Sequence, residues 1–394
     1  MRAFLAAFGD AGHVFPVLAL GRALRARGHE VTVETFTRWQ ADVEAEGLRF
    51  VAAPEFDPPA DEPAWFLPPF VAAGRAVPLT RSELRSWRPD VVVSDILTVA
   101  PPLAAELEGI PSATLIPHFD PRPVRGFPPY SVGARLPRTA IGRWWWARFH
   151  RLVSHGGALG RDELNGVRTR VGLAPQGHIH NGISRTLAIC ATFPQLEYPR
   201  PVPEPNTHVV GPLLWEPADG EFTMPGGDGP LVVVAPSTAH DPGGRLVRAA
   251  TDGLAELPIR LLISTNHRTP ASGLRAGTNT TVVDWLSYSR AFAHADAVIC
   301  HGGHGTMVRA LACGAVPVIW PVAGDMGENA ARADYAGAGV RIPRRFLSAT
   351  TLRLATERAL CERPLHDRAG QLAAWAADHD PAATAAALVE SIAA

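Results

Sequence analysis

The sequence predicts an α/β protein built from two Rossmann-like, doubly wound domains that face each other across a cleft. Three observations carry this. Short apolar runs alternate with helical patterns through the first part of the chain. A proline- and glycine-rich stretch then interrupts the alternation, and the same alternation restarts beyond it. A length of 394 residues agrees, since domains run to roughly 100–200 residues each.

In chain order, Arg2–Phe8 reads as a strand and Val14–Arg27 as an amphipathic helix, with Pro16 in its first turn and Gly28 just past its end. Glu30–Thr35 and Leu48–Ala52 read as strands around a helix at Arg38–Glu46. Asp90–Ser94 and Ser112–Ile116 read as strands around a helix at Thr98–Glu108. Two stretches, Pro54–Pro78 and Phe119–Trp146, are rich in proline and aromatic residues and read as long functional loops. Proline and glycine dominate from Phe193 to Pro230, which marks a stiff linker. Strands are then expected at Leu231–Ala235, Ile259–Ser264, Thr280–Asp284, Ala297–Cys300 and Val316–Trp320. Helices are expected at Gly244–Glu256, Ser289–His294, Thr306–Cys313, Glu328–Ala336 and Ala349–Glu362. This divides the chain into a first domain (1–205), a linker (206–229) and a second domain (230–378). The last helix (379–394) packs back on the first domain. Ligands of such folds bind outside the carboxyl ends of the strands.

Composition narrows the chemistry. Hydrophobic residues make up 46% and charged residues 19%, which suits packed cores. The formal net charge is -1, so no basic field holds nucleic acid. All 37 cationic side chains are arginine, and without lysine neither a Schiff base nor a Walker-type phosphate loop is available. The four cysteines, Cys190, Cys300, Cys313 and Cys361, form no C-x-x-C pair and read as small buried apolar side chains. The amino end lacks the pattern of a signal peptide, and no run of about 18 apolar residues reads as a membrane span. A cytoplasmic location without membrane contact is expected.

Three constellations carry chemistry. In Gly9-Asp10-Ala11-Gly12-His13-Val14-Phe15-Pro16 a tight turn follows a strand and opens a helix. His13 then sits at a helix amino end, whose positive pole is expected to favour the neutral imidazole. Val91-Val92-Val93-Ser94-Asp95 is a buried-type strand ending in a carboxylate. First and fourth strands are neighbours in a doubly wound sheet, so Asp95 is placed to orient His13. Each alone also reads as a structural cap. In His301-Gly302-Gly303-His304-Gly305-Thr306, amides of a glycine turn and a helix amino end form a cradle for an anion. Ser237 and Thr238, after the first strand of the second domain, add small donors on the same edge.

These motifs resemble the inverting GT-B glycosyltransferases of antibiotic and other natural-product pathways, which pair a Gly-His-x-x-Pro turn with a Trp-Leu, His-Gly-Gly-x-Gly-Thr, Gly-x-Pro and Pro-x-x-x-Asp series. Here these are Gly12-His13-Val14-Phe15-Pro16, Trp285-Leu286, His301 to Thr306, Gly314-Ala315-Val316-Pro317 and Pro321-Val322-Ala323-Gly324-Asp325. The resemblance implies that His13 is the general base and Asp95 its partner. It implies that Trp285 and Leu286 border the nucleobase, and that His301, Gly302, Gly303, His304, Gly305 and Thr306, with Gly12, lie along the diphosphate. Asp325 and Met326 fall at the sugar, and no metal is implied. Asp-His-Asp occurs only at Asp378–Asp380, without a strand or glycine turn to make a metal site. Trp65, Phe66, Phe70, Phe119, Tyr130 and Trp144 are expected to line the pocket of a small hydrophobic aglycone.

The family often carries Gln near Tyr288, Glu at the place of Arg309 and Asp-Gln where Asp325-Met326 stand. Arginine cannot accept from a ribose diol, and methionine suits a sugar that lacks a hydroxyl. A TDP-linked deoxysugar is therefore the expected donor. Kept beside it are a UDP-sugar transferase or epimerase on the same fold and a non-catalytic nucleotide-binding partner. A homodimer is left open.

Overall fold

The computed structural model describes residues 1–54, 69–178, 182–217, 222–237, 241, 243–266, 274 and 277–393. The first half runs β1 (Arg2–Ala6), α1 (Ala11–Ala26), β2 (Glu30–Thr35), α2 (Gln40–Ala45), β3 (Arg49–Ala52), α3 (Pro69–Trp87), β4 (Val91–Asp95), α4 (Ala100–Glu108) and β5 (Ser112–Ile116). A long α5 (Ala140–Val171), β6 (Leu187–Cys190) and β7 (Thr207–Val209) complete it. The second half runs β8 (Leu231–Ala235), α6 (Arg245–Leu254), β9 (Arg260–Ser264), β10 (Thr280–Val283), α7 (Tyr288–Phe292), β11 (Ala297–Cys300) and α8 (His304–Ala312). It continues through β12 (Val316–Ile319), α9 (Met326–Tyr335), β13 (Val340–Arg341), α10 (Ala349–Cys361), α11 (Arg363–Asp378) and α12 (Pro381–Ala393).

Among the described residues the strands form two parallel sheets, ordered β3-β2-β1-β4-β5-β6-β7 and β10-β9-β8-β11-β12-β13. Strands such as Val91–Asp95 and Leu231–Ala235 are buried along their whole length, as a parallel sheet covered on both faces requires. Each order reverses beside its first strand, β1 or β8. The turns carrying His13 and His301 therefore open on the carboxyl edges, where such sheets bind ligands.

Helix α12 crosses back to the first domain. Its Ala385, Ala386 and Val389 join Val14, Val17 and Leu18 of α1 in one core. Glu390 accepts from Arg27 Nε at 2.7 Å and pairs with His29, which holds its carboxyl down to about 2. Strand β7 pairs with β6, so the first sheet reaches into the stretch that the sequence assigns to the linker.

Two helices replace expected loops. Residues 69–87 form α3, with Ala73, Val77, Thr80 and Leu84 buried at helical spacing, although Pro78 interrupts the pattern. Residues 140–171 form α5, started by Thr139, whose hydroxyl accepts from Gly142 N. Only Leu164, Val167 and Arg168 of its 32 residues are buried, and apolar side chains such as Ile141, Trp145 and Leu152 are exposed. The first helix starts at Ala11 rather than Val14. Of the cysteines, Cys190 and Cys300 are buried but Cys361 is exposed.

One buried carboxyl gives the fold a pH dependence. Glu34, at the end of β2, is 3% exposed and accepts from Thr80 Oγ1 at 3.0 Å. Burial pushes it up to about 7, against the Thr80 hydrogen bond and with a smaller push from Glu83. A carboxyl raised on folding contributes stability fully below its ordinary value and loses it as pH rises toward the folded value. Glu34→Gln is therefore expected to change little near pH 4 and to add on the order of 3 kcal/mol near pH 8. Denaturant melts at the two pH values check this, and an equal effect at both would count against it.

Candidate active site

His13 stands in the first turn of α1, just beyond the carboxyl end of β1. The register pairs Ala6 of β1 with Ser94 of β4, which brings the next residue, Asp95, beneath the imidazole. His13 Nδ1 donates to Asp95 Oδ1 at 2.6 Å. Asp95 is 1% exposed, and its carboxylate also accepts from Phe8 N at 2.7 Å, Thr98 Oγ1 at 2.7 Å and Leu97 N at 3.0 Å. Burial pushes the Asp95 carboxyl up, but His13 and the other donors more than offset this and hold it below its ordinary value. For His13, burial pulls the pKa down, yet Asp95 at contact outweighs it, with Asp10 and Asp325 adding. The net direction is upward from 6.5. The neutral bias expected from the helix amino end is thus overturned, because a full carboxylate at 2.6 Å outweighs a partial dipole charge. With Nδ1 committed to Asp95, Nε2 is left to take a proton.

The second domain contributes a turn at the end of β11. Gly302 has φ +89, the left-handed region that favours glycine. The His301 ring lies over Gly303, so closely that a Cβ there would come within 2.6 Å of Nε2. Helix α8 follows with Gly303 as N-cap and no side-chain cap, so its first amides have no intrahelical acceptor. The space above Gly305 is open, Thr306 is half-buried beside it, and Gly12 across the cleft is likewise open above its Cα. Asn329 Nδ2, fully buried, donates to Gly302 O at 2.9 Å and to Asp325 Oδ2 at 3.3 Å, tying the turn to the start of α9.

Residues 251–391 match the model of the erythromycin biosynthesis protein CIII-like C-terminal domain, and residues 15–187 match that of glycosyltransferase family 4. The chain is 28% identical to 4'-demethylrebeccamycin synthase of Lentzea aerocolonigenes, over 98% of this chain and 97% of that one. This chain is a glycosyltransferase with the GT-B fold, similar to those of natural-product pathways. Among solved structures, the glycotransferase of kitacinnamycin superposes with a TM-score of 0.78 at 23% identity, covering 99% of the transferase and 98% of that chain. Glycosyltransferase VinC, solved in complex with dTDP, superposes with a TM-score of 0.70 at 19% identity, covering 100% and 99%.

The structure brings some of the expected site residues of the transferase together and removes others. Trp285 is 38% exposed just past β10, whereas Leu286 is 2% exposed and belongs to the core. His304 does not face the cradle. It is 8% exposed, shares a hydrogen bond with Thr192 Oγ1 at 3.0 Å and meets the Phe119 ring edge-on. Burial first, then His118 and Arg332, push its pKa down to about 3, so it is a neutral packing group. Phe119 is fully buried beneath it and lines no pocket. Phe70 packs with the α3–α4–α5 cluster, and Trp144 lies 58% exposed on α5. Met326 is buried against Gly302, and Ser237 is buried after β8. Thr238, Trp65 and Phe66 lie outside the described residues.

Arg309 is not free to face a ribose either. Its Nη2 donates to Trp215 O at 2.7 Å, and it stands 3.8 Å from Glu216, a linker carboxylate that also accepts from Ser287 Oγ at 2.6 Å. Sequence reasoning missed His118, just past β5. Its Nδ1 donates to Phe119 O at 2.7 Å and lies 3.0 Å from Tyr130 Oη. Burial keeps it below its ordinary pKa, and Asp325, His13 and Asp95 all bear on it electrostatically. A single histidine in a proline-rich loop has no spacing that would reveal it.

Proposed function

We propose that the transferase moves a sugar from a TDP-linked donor to a hydroxyl of a hydrophobic natural-product aglycone, inverting the anomeric centre, with His13 as base. The observation that carries the reading is the buried His13–Asp95 pair on one domain together with the uncapped start of α8 on the other. Asp325, at the start of α9, is near enough to both to bear on His13.

In one displacement the acceptor oxygen bonds to the anomeric carbon as the bond from that carbon to the diphosphate oxygen breaks. The bonding pair leaves with the diphosphate, and the hydroxyl proton passes to His13 Nε2. Asp95 stabilises the imidazolium that forms. The amides at the start of α8 and the Thr306 hydroxyl meet the charge gathering on the leaving group. On this reading no metal takes part, and transfer is expected to be unchanged in excess chelator. Loss of activity restored by manganese or magnesium would overturn that statement.

The thymidine preference is supported by the dTDP complex of VinC, and the deoxysugar by the apolar Met326 beside Asp325. Arg309 lends it less than the sequence suggested, because the linker occupies its guanidinium. The experiment is titration calorimetry with TDP and UDP, followed by nucleotide release from TDP- and UDP-glucose in the presence of aglycone mixtures. TDP is expected to bind about tenfold more tightly, and Met326→Gln to improve use of fully hydroxylated glucose. A hydroxyl left unpaired against methionine costs on the order of 1–3 kcal/mol. Equal binding and turnover with the uridine donor would discard the thymidine assignment.

A further inference from the structure

Two helices of the second domain carry cradle or sugar-side groups at their amino ends, and each sends one buried side chain into the first domain. On α8 it is His304, set against Thr192 and Phe119. On α9 it is Arg332, which is 4% exposed. Arg332 Nε donates to Glu328 Oε1 at 2.8 Å, and Nη1 donates to Glu197 Oε2 at 2.6 Å. Its guanidinium lies 4.5 Å from the centre of the Phe119 ring and 4.1 Å from that of Tyr198. Glu197 is itself fixed, accepting from Asp120 N at 2.9 Å through its other oxygen. Close by, the backbones of the two domains nearly touch. A Cβ on Gly133 would come within 2.9 Å of the Gly327 carbonyl group, and Arg135 pairs with Asp334.

We propose that Arg332 is a positioning residue for the transfer reaction: by clamping α9 to Glu197, Tyr198 and Phe119 it sets Asp325 and the glycine cradle at reacting distance from His13. The proposal rests on the transfer reading above. Buried ion pairs are poor sources of stability, because desolvation consumes most of their attraction and apolar replacements often do as well. Burial indeed pushes the Glu328 carboxyl up despite Arg332 beside it. What the arrangement does supply is direction. A planar fork held by two carboxylates and two aromatic faces admits one orientation of the helix. Asp325 lies seven residues before Arg332, about 10 Å along a helix rising 1.5 Å per residue, so a small tilt at the clamp moves the sugar end. Transfer requires the reacting atoms to approach to about 3–3.5 Å, and an error near 1 Å can cost about a hundredfold in rate.

The test uses Arg332→Lys, which keeps the charge but loses the fork and the stacking, and Glu197→Gln, which leaves the guanidinium paired with Glu328. Both are assayed well below their melting temperatures. Expected are a fall in kcat of about tenfold to a hundredfold, TDP affinity within about threefold of wild type, and an unmoved pH limb. The paired variant is expected to be no worse than the weaker single one. Spin labels at Leu79 and Leu354, both exposed, in a Cys313→Ser, Cys361→Ser background should show a broadened interdomain distance distribution. If Arg332→Lys does not fold, Glu197→Gln decides by the same measurements. A folded variant with wild-type kcat and an unbroadened distribution overturns the positioning role. Broadening in the variants, with no sugar transfer by the wild-type protein itself, would instead discard the reading of function.

Discussion

Replacing His13 with alanine is expected to lower the transfer rate by about 10²–10⁴-fold, the usual worth of a positioned base. Nucleoside diphosphate binding should change little, because the cradle at Gly302–Thr306 belongs to the other sheet. The pH dependence gives a sharper signature. A base works only when neutral, so kcat/KM falls as pH drops through the His13 pKa. Asp95 holds that pKa above 6.5, so the acid limb of wild type should lie above that value. In Asp95→Asn the attraction is gone while burial, which pulls the imidazole down, remains. The limb should move to lower pH even as the plateau falls, because the ring loses the carboxylate that stabilises its charged form. A His13→Ala variant with near-normal turnover would remove the base from the mechanism. A limb that moves upward in Asp95→Asn would remove the electrostatic account of it.

What the sequence disclosed follows physical locality. Val91-Val92-Val93-Ser94-Asp95 could be read as a covered parallel strand, and a doubly wound order then put Asp95 beside His13 before any coordinates. The glycine turn at Gly302–Gly303 was legible because few side chains tolerate that backbone. Features that depend on distant partners were not legible. Arg332 meets Glu197 across 135 positions, and nothing near either residue announces the other. Arg309 was read as a ribose neighbour because its place in a motif was visible while Trp215 and Glu216, which engage it, lay in the linker. His304 looked like part of the cradle by adjacency. A helix rotates successive side chains by about 100°, which turned it away to Phe119. Helix α5 escaped because its apolar side chains, such as Ile141, Trp145, Phe149 and Leu152, meet solvent rather than a core.

Gly302→Val is expected to produce the opposite failure from His13→Ala, with chemistry lost because the donor no longer binds. At φ +89 a β-branched residue is strained. Its Cβ would also stand 2.8 Å from Ile319 Cγ2 and 3.1 Å from Met326 O. Ile319 is fully buried, so it has little room to retreat, and the Met326 carbonyl is backbone at the start of α9. Strain and overpacking together should cost on the order of 2–4 kcal/mol of stability. Relief comes most easily by shifting the turn, which also carries the Gly302 carbonyl that Asn329 holds. That shift moves the Asp325 end of α9 and the first amides of α8 at once. Loss of even one charge-assisted hydrogen bond to the diphosphate is worth about 1.5–3 kcal/mol, so nucleotide affinity should fall at least about tenfold. Calorimetry with TDP on folded Gly302→Val decides it. Affinity equal to wild type would place the diphosphate elsewhere, whereas weakened binding here beside intact binding in His13→Ala would assign capture to one sheet and proton removal to the other.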